Sequence, residues 1–91
     1  PDLPPAWGAV TVRQLLQHTG GVPNFSSSPA WVQYLLDHLQ GPFTHQMLID
    51  FVADEPLRFP PGTSFEYSNT DNVIIALMAE AVTSKPYEQL L

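Results

Sequence analysis

Seven consecutive apolar residues, Val73-Ile74-Ile75-Ala76-Leu77-Met78-Ala79, constrain this chain more than any other feature. A helix drawn through them, from about Thr70 to Thr83, carries apolar side chains on nearly every face, so it has to be enclosed rather than laid on a surface. Enclosure is difficult here. The chain has 91 residues, and a domain of that size buries only roughly 60–65% of the surface its unfolded form exposes. It has no cysteine, so neither disulfides nor thiolate-bound metal can supplement the core. Four short helices cannot surround such a segment, and further polypeptide is expected to cover its other side. The run is also far too short to span a bilayer, which takes about 20 residues.

Composition narrows the function classes. At 44% hydrophobic the chain is apolar enough to pack, which argues against disorder. Three Lys+Arg against nine Asp+Glu give a net charge of −6, a surface that repels phosphate backbones, so no nucleic-acid partner is expected. The acidic balance suits an extracytoplasmic or a cytosolic protein equally. The sequence starts Pro1-Asp2-Leu3 without an initiator methionine and stops at Leu90-Leu91, in the first turn of a helix that Pro86 opens. Both ends read as cuts in a longer protein, and the isolated piece is expected to be marginally stable or to self-associate through exposed helix faces.

Local signals place the other helices. Thr11 and Gln14 form a T-x-x-Q capping box, with Val10 and Leu15 spaced for a hydrophobic staple. Val12, Leu15, Leu16 and Thr19 then share a face, and Gly20-Gly21 is the expected stop. After a loop over Val22–Ser28, Ser28-Pro29 reads as an N-cap followed by proline at the first helical position. Trp31, Val32, Leu35, Leu36 and Leu39 follow as an amphipathic stripe that Gly41-Pro42 ends. Thr44 caps a third helix, stapled by Phe43 and Leu48, with Met47, Leu48, Phe51 and Val52 expected inward and an end before Pro56.

Between that helix and the apolar one lies an irregular stretch. Pro60-Pro61-Gly62-Thr63 fits a type II turn, with glycine at the position that needs a positive φ. Phe65-Glu66-Tyr67-Ser68 is extended or loop-like, and in an extended chain residues i and i+2 point the same way. Tyr67 and Asn69 therefore face one side together and Ser68 the other. Taken without their surroundings, these residues are a turn and an N-cap, with Asn69 or Thr70 capping and Asp71 suited to the helix dipole. His18, His38 and His45 lack metal-ligand spacing, so no metal is expected, and His18 is placed to interact with a helix C-terminus. Trp31 and Tyr34 are core or interface aromatics, and Asp54-Glu55 is a solvated helix end. Ser26-Ser27-Ser28 is loop and cap, with no base placed to activate a serine.

Three segments in register carry a resemblance. Phe59-Pro60-Pro61-Gly62-Thr63 with Phe65-Glu66-Tyr67-Ser68-Asn69-Thr70 resembles the Y-x-N region of the serine β-lactamase and D-Ala-D-Ala carboxypeptidase family of penicillin-binding-protein-like enzymes, closest to its class C-like branch. Thr11-Val12-Arg13-Gln14-Leu15-Leu16-Gln17-His18-Thr19-Gly20-Gly21 is similar to the family's T-x-R-x-L-L-x-H-T-S-G segment. Asn72–Val82 and Tyr87–Leu91 fit the helices that follow. Only Asn24–Asp50 lies outside the match. Two departures stand out: Gly20-Gly21 where serine-glycine is commoner, and Ser84-Lys85-Pro86 in place of a glycine-containing turn.

The resemblance implies a mainly α chain, residues 1–91 being part of the helical subdomain of the α+β β-lactamase/transpeptidase-like fold. It implies a serine hydrolase working by acyl transfer on D-Ala-D-Ala peptides, β-lactams or related esters and amides, with no cofactor. Such enzymes combine S-x-x-K, Y-x-N and K/H-T/S-G motifs. Only the second is present, because Val82 stands three places before Lys85, the sole lysine, and His18-Thr19-Gly20 precedes Tyr67 at the end of a helix and is a decoy for the third. Carried over, Tyr67 is the catalytic general base and acid, Asn69 binds the substrate amide, and Ser68 has no role. A free phenol titrates near pH 10, leaving about 0.1% phenolate at neutrality. The cation that would activate it belongs to the missing S-x-x-K. The piece alone is therefore expected to be inactive, its main partner being the rest of the parent enzyme. The family places such an enzyme in the bacterial periplasm, outside the cell or on a membrane anchor. The alternative is a non-catalytic helical binding module from a dead relative.

Overall fold

The computed structural model describes residues 2–85. Four α-helices follow one another: α1 Val12–Gln17, α2 Pro29–Asp37, α3 His45–Asp50 and α4 Asn69–Thr83, with single 3-10 turns at Pro5–Trp7 and Phe25–Ser27. The described residues contain no strand. None of the described helices is long and apolar enough to cross a membrane.

The helix starts follow the sequence. Thr11 Oγ1 accepts the Gln14 amide and Gln14 Oε1 accepts the Thr11 amide, closing the capping box of α1. Ser28 is the N-cap of α2, with Pro29 behind it. Thr44 Oγ1 accepts the Met47 amide and starts α3. The ends differ more. α1 stops at Gln17 because His18 itself takes the left-handed conformation, φ 57°. Gly20-Gly21 therefore has another task. Gly21 has φ +80°, and a Cβ on it would stand 2.6 Å from the Phe59 carbonyl oxygen, so only glycine lets the two backbones come this close. There the Gly21, Thr19 and His18 carbonyls accept the amides of Arg58 (2.7 Å), Gly62 (2.7 Å) and Glu66 (3.0 Å) in turn. Residues 58–66 are thus laced along 18–21.

Helix α4 is the centre, packing against α3, α1 and the Phe25–Ser27 turn. Ile74 meets Trp7, Leu15, Val22, Phe25, Ile49 and Val52 in one buried cluster, and the Trp7 indole N–H is satisfied by the Glu55 carbonyl at 3.0 Å. Several expected inward faces are not buried. Val12 and Leu16 of α1 are exposed, as are Val32, Leu35, Leu36 and Leu39 of the α2 stripe. α2 is held instead through Trp31, whose ring lies 5.4 Å from Phe25, 5.7 Å from Phe43 and 5.7 Å from Phe51. In α3 the fully buried residue is Ile49, with Val52 just beyond, while Met47, Leu48 and Phe51 are half-buried. The apolar run of α4 buries Ile74 and Ala76 alone. Ile75, Met78, Ala79 and Val82 line an open apolar groove beside Val12 of α1. Pro86 and the helix expected after it lie outside the described residues.

The first turn of α4 is fastened through polar groups. Thr70, fully buried, donates from Oγ1 to the Pro23 carbonyl at 2.6 Å and accepts the Phe25 amide at 3.0 Å. Thr70 is therefore a tie between loop and helix rather than the cap that the sequence suggested. The N-cap is Ser68, which makes no side-chain cap bond. Replacing Thr70 by valine keeps the shape but leaves two buried backbone groups unpaired, so unfolding of the intact protein is expected to become easier by about 1–3 kcal/mol in denaturant titrations.

Candidate active site

The Pro60–Thr63 turn reverses the chain as its residues require: Gly62 has φ +85°, and the Thr63 amide reaches the Pro60 carbonyl at 3.1 Å. From there an extended segment leads to the N-cap Ser68 at φ −136°, ψ 123°. Alternation along it sorts the side chains. Tyr67 is 53% exposed, Ser68 is 2% exposed, and Asn69 is half-buried. The Tyr67 hydroxyl accepts the Asn72 side-chain amide at 2.8 Å. Asn69 donates from its amide to Ser26 Oγ at 3.2 Å, and Ser26 passes its own proton to Asn24 Oδ1 at 2.8 Å. Tyr67 and Asn69 are thus held by different partners and make no hydrogen bond to each other.

A polar cleft of about 380 Å³ opens beside Tyr67. Asn24, Ser27 and Ser28 form one side of it, and Glu55, Arg58 and Glu66 contribute its charges. Arg58 forks onto Glu66, Nε facing one carboxylate oxygen and Nη2 donating to the other at 3.2 Å. Asn69 does not line this cleft but grips the Asn24–Ser27 loop that borders it.

Behind Tyr67 stands a pair that the sequence did not reveal. His18 Nδ1 lies 2.9 Å from Asp71 Oδ2, with side chains 14% and 1% exposed. The Ser68 amide also points at Nδ1, from 3.3 Å. One nitrogen cannot serve both at once. With a proton on Nδ1 it donates to the Asp71 carboxylate; bare, its single lone pair accepts either from the Ser68 amide or from a protonated Asp71 carboxyl. The imidazole face lies against the Tyr67 ring, centroids 4.4 Å apart at 38°. A usable signal existed on α4 alone: Asp71 stands one turn before Ile74 on the same face, and a carboxyl on a core-facing position demands a partner. That the partner is 53 residues earlier could not be read from spacing.

Burial raises the Asp71 carboxyl from 3.8 to about 6, against the lowering pull of the His18 hydrogen bond and charge. The second carboxyl oxygen, Oδ1, is buried without a partner, as is Ser68 Oγ.

Comparison with known proteins fixes the lineage. The Beta-lactamase family model matches residues 1–91. The chain belongs to the beta-lactamase family. Among relatives, it is 28% identical over 86 residues to Penicillin-binding protein 4* of Bacillus subtilis (strain 168), covering 90% of this chain and 18% of that protein. It is 32% identical over 82 residues to Protein flp of Staphylococcus aureus (strain NCTC 8325 / PS 47), covering 90% and 15%. Its structure matches the crystal structure of a D-stereospecific amidohydrolase from Streptomyces sp. with a TM-score of 0.79 and 35% identity, over 86% of this chain and 24% of that one. The helices described above are a helical part of the beta-lactamase-like fold, and the chain spans 15% to 24% of the length of these relatives.

The raised Asp71 value carries a pH signature. A carboxyl that holds its proton more tightly when folded contributes most stability below about pH 4, its ordinary titration range. That contribution is lost as pH rises to about 6. Denaturant unfolding of the intact protein across this window is expected to show the wild type losing stability relative to Asp71→Asn as pH increases. A difference that stays flat would contradict the assignment.

Proposed function

We propose that this chain forms one wall of the active site of a serine hydrolase that works by acyl transfer, with Tyr67 as its proton carrier and Asn69 as its substrate-amide ligand. The observation that supports it best is the half-exposed Tyr67 phenol, held at its ring and its hydroxyl on the edge of a polar cleft. A structural tyrosine would be expected to bury its ring, and a surface tyrosine needs no such support.

In the proposed reaction a serine from the rest of the polypeptide attacks the substrate carbonyl carbon. Its proton passes to Tyr67 as the phenolate, the form that the S-x-x-K lysine would favour. The C–N bond (C–O in an ester) then breaks as that proton moves to the leaving nitrogen or oxygen and restores the phenolate. Water later releases the acyl group from the serine. Asn69 keeps its amide N–H on Ser26, which leaves its carbonyl oxygen to accept a substrate N–H. The nucleophile and the lysine of S-x-x-K lie outside this sequence, so the 91 residues by themselves are proposed to be inactive. Substrates are D-Ala-D-Ala peptides, β-lactams or related amides and esters. The amidohydrolase neighbour favours amides of D-configured residues as the first class to assay.

Two measurements test this on the intact protein. Tyr67→Phe is expected to slow acylation by a fluorescent penicillin by about 10²–10⁴, the usual contribution of a positioned acid–base group. Labelling at the wild-type rate would remove Tyr67 from the proton relay, and a wild-type protein that takes no label would favour the non-catalytic binding module instead. A D-amino-acid p-nitroanilide is expected to be cleaved faster than its L enantiomer, and equal rates would remove the stereochemical part of the reading.

A further inference from the structure

Three successive residues of the site segment touch one residue, His18, that the proposed reaction leaves unused. The His18 carbonyl accepts the Glu66 amide at 3.0 Å, its ring lies under Tyr67 at 4.4 Å, and its Nδ1 is 3.3 Å from the Ser68 amide. We propose that His18 is a positioning residue for Tyr67: its imidazole, fixed from behind by Asp71, is the platform that sets where the phenol oxygen stands. This rests on the reading of Tyr67 as the proton carrier.

The geometry carries the idea in two steps. First, the platform is held on several sides. His18 sits in the left-handed backbone conformation that ends α1, and its ring is tied at 2.9 Å to a carboxyl that is 1% exposed. The edge of the Phe65 ring closes another side, centroids 6.2 Å apart. Second, the same helical turn holds both ends of the tyrosine. Asp71 fixes the plate beneath the ring, and its neighbour Asn72 donates to the hydroxyl at 2.8 Å. The phenol is thereby referenced to the first turn of α4 twice, although Tyr67 itself lies on an extended segment before that helix. Proton transfer is steep in distance, so a plate that removes ring motion acts on the rate while leaving substrate contacts alone. An arrangement meant for stability alone would not need its outer face against a residue that is half exposed, since apolar packing replaces a buried ion pair at little cost.

The test is a double-mutant cycle on the intact protein, read as the limiting acylation rate by fluorescent penicillin and its half-saturation concentration. His18→Ala is expected to lower the limiting rate by about 10- to 100-fold, the cost of an ångström-scale misplacement, with half-saturation little changed. In the Tyr67→Phe background the same change is expected to alter the residual rate by less than about twofold, because a platform has nothing left to position. Asp71→Asn, which keeps shape and a hydrogen-bond acceptor, gives a smaller loss with the same dependence on Tyr67, and it decides the matter if His18→Ala does not fold. Equal losses in both backgrounds, or no loss at all, overturn the role of His18. A Tyr67→Phe protein that acylates at the wild-type rate overturns the Tyr67 reading itself, and the platform with it.

Discussion

Thr70 and Asp71 bury two polar side chains in the first turn of the longest helix, and the position of everything around Tyr67 depends on how they are satisfied. Thr70 bonds to both Pro23 and Phe25, and Asp71 bonds to His18. Each bond reaches from α4 to a loop that precedes it by more than forty residues. A buried polar group without a partner is costly, so these contacts fix the register between helix and loops more tightly than apolar packing, which tolerates sliding. The site is thus mounted on a helix terminus whose orientation is specified by hydrogen bonds.

Around that terminus the chain divides its surfaces by chemistry. One flank offers a polar cleft with Tyr67 at its edge and a fixed Arg58–Glu66 pair. Along α4 itself runs an apolar groove lined by Ile75, Met78, Ala79 and Val82 together with Val12 of α1. Ile74 anchors the apolar run of α4 in the core shared with Leu15, Ile49 and Val52, while Ile75 and Met78, half-buried against that core, line the groove. Membership of the beta-lactamase family, with 15% to 24% of its relatives' length present, accords with a helix that the described residues cover on one side.

Local reading and three-dimensional outcome part company at identifiable residues. The amphipathic stripe of α2 was legible as a stripe, yet Val32, Leu35 and Leu36 are exposed, because α2 leans on the aromatic group through Trp31. Gly20-Gly21 was legible as a break, but its work is to admit the Phe59 backbone, while His18 ends α1. In the sequence His18 reads as an imidazole beside a helix end and as part of the His18-Thr19-Gly20 decoy. Its contact with Asp71 joins residues whose separation follows no periodicity, and nothing in either neighbourhood names the other.

The sequence by itself determined what depends on a few neighbouring residues: the capping box at Thr11, the caps at Ser28 and Thr44, the turn at Gly62, and the alternation that turns Tyr67 away from Ser68. Those features arise from hydrogen bonds and steric limits that close within one turn of chain, and so they survive any context. Only the tertiary structure decided which apolar faces are covered, that Thr70 is a tie and not a cap, and that an imidazole lies beneath the tyrosine. Burial and pairing are properties of what stands opposite, and what stands opposite is set when segments far apart in the chain are brought together.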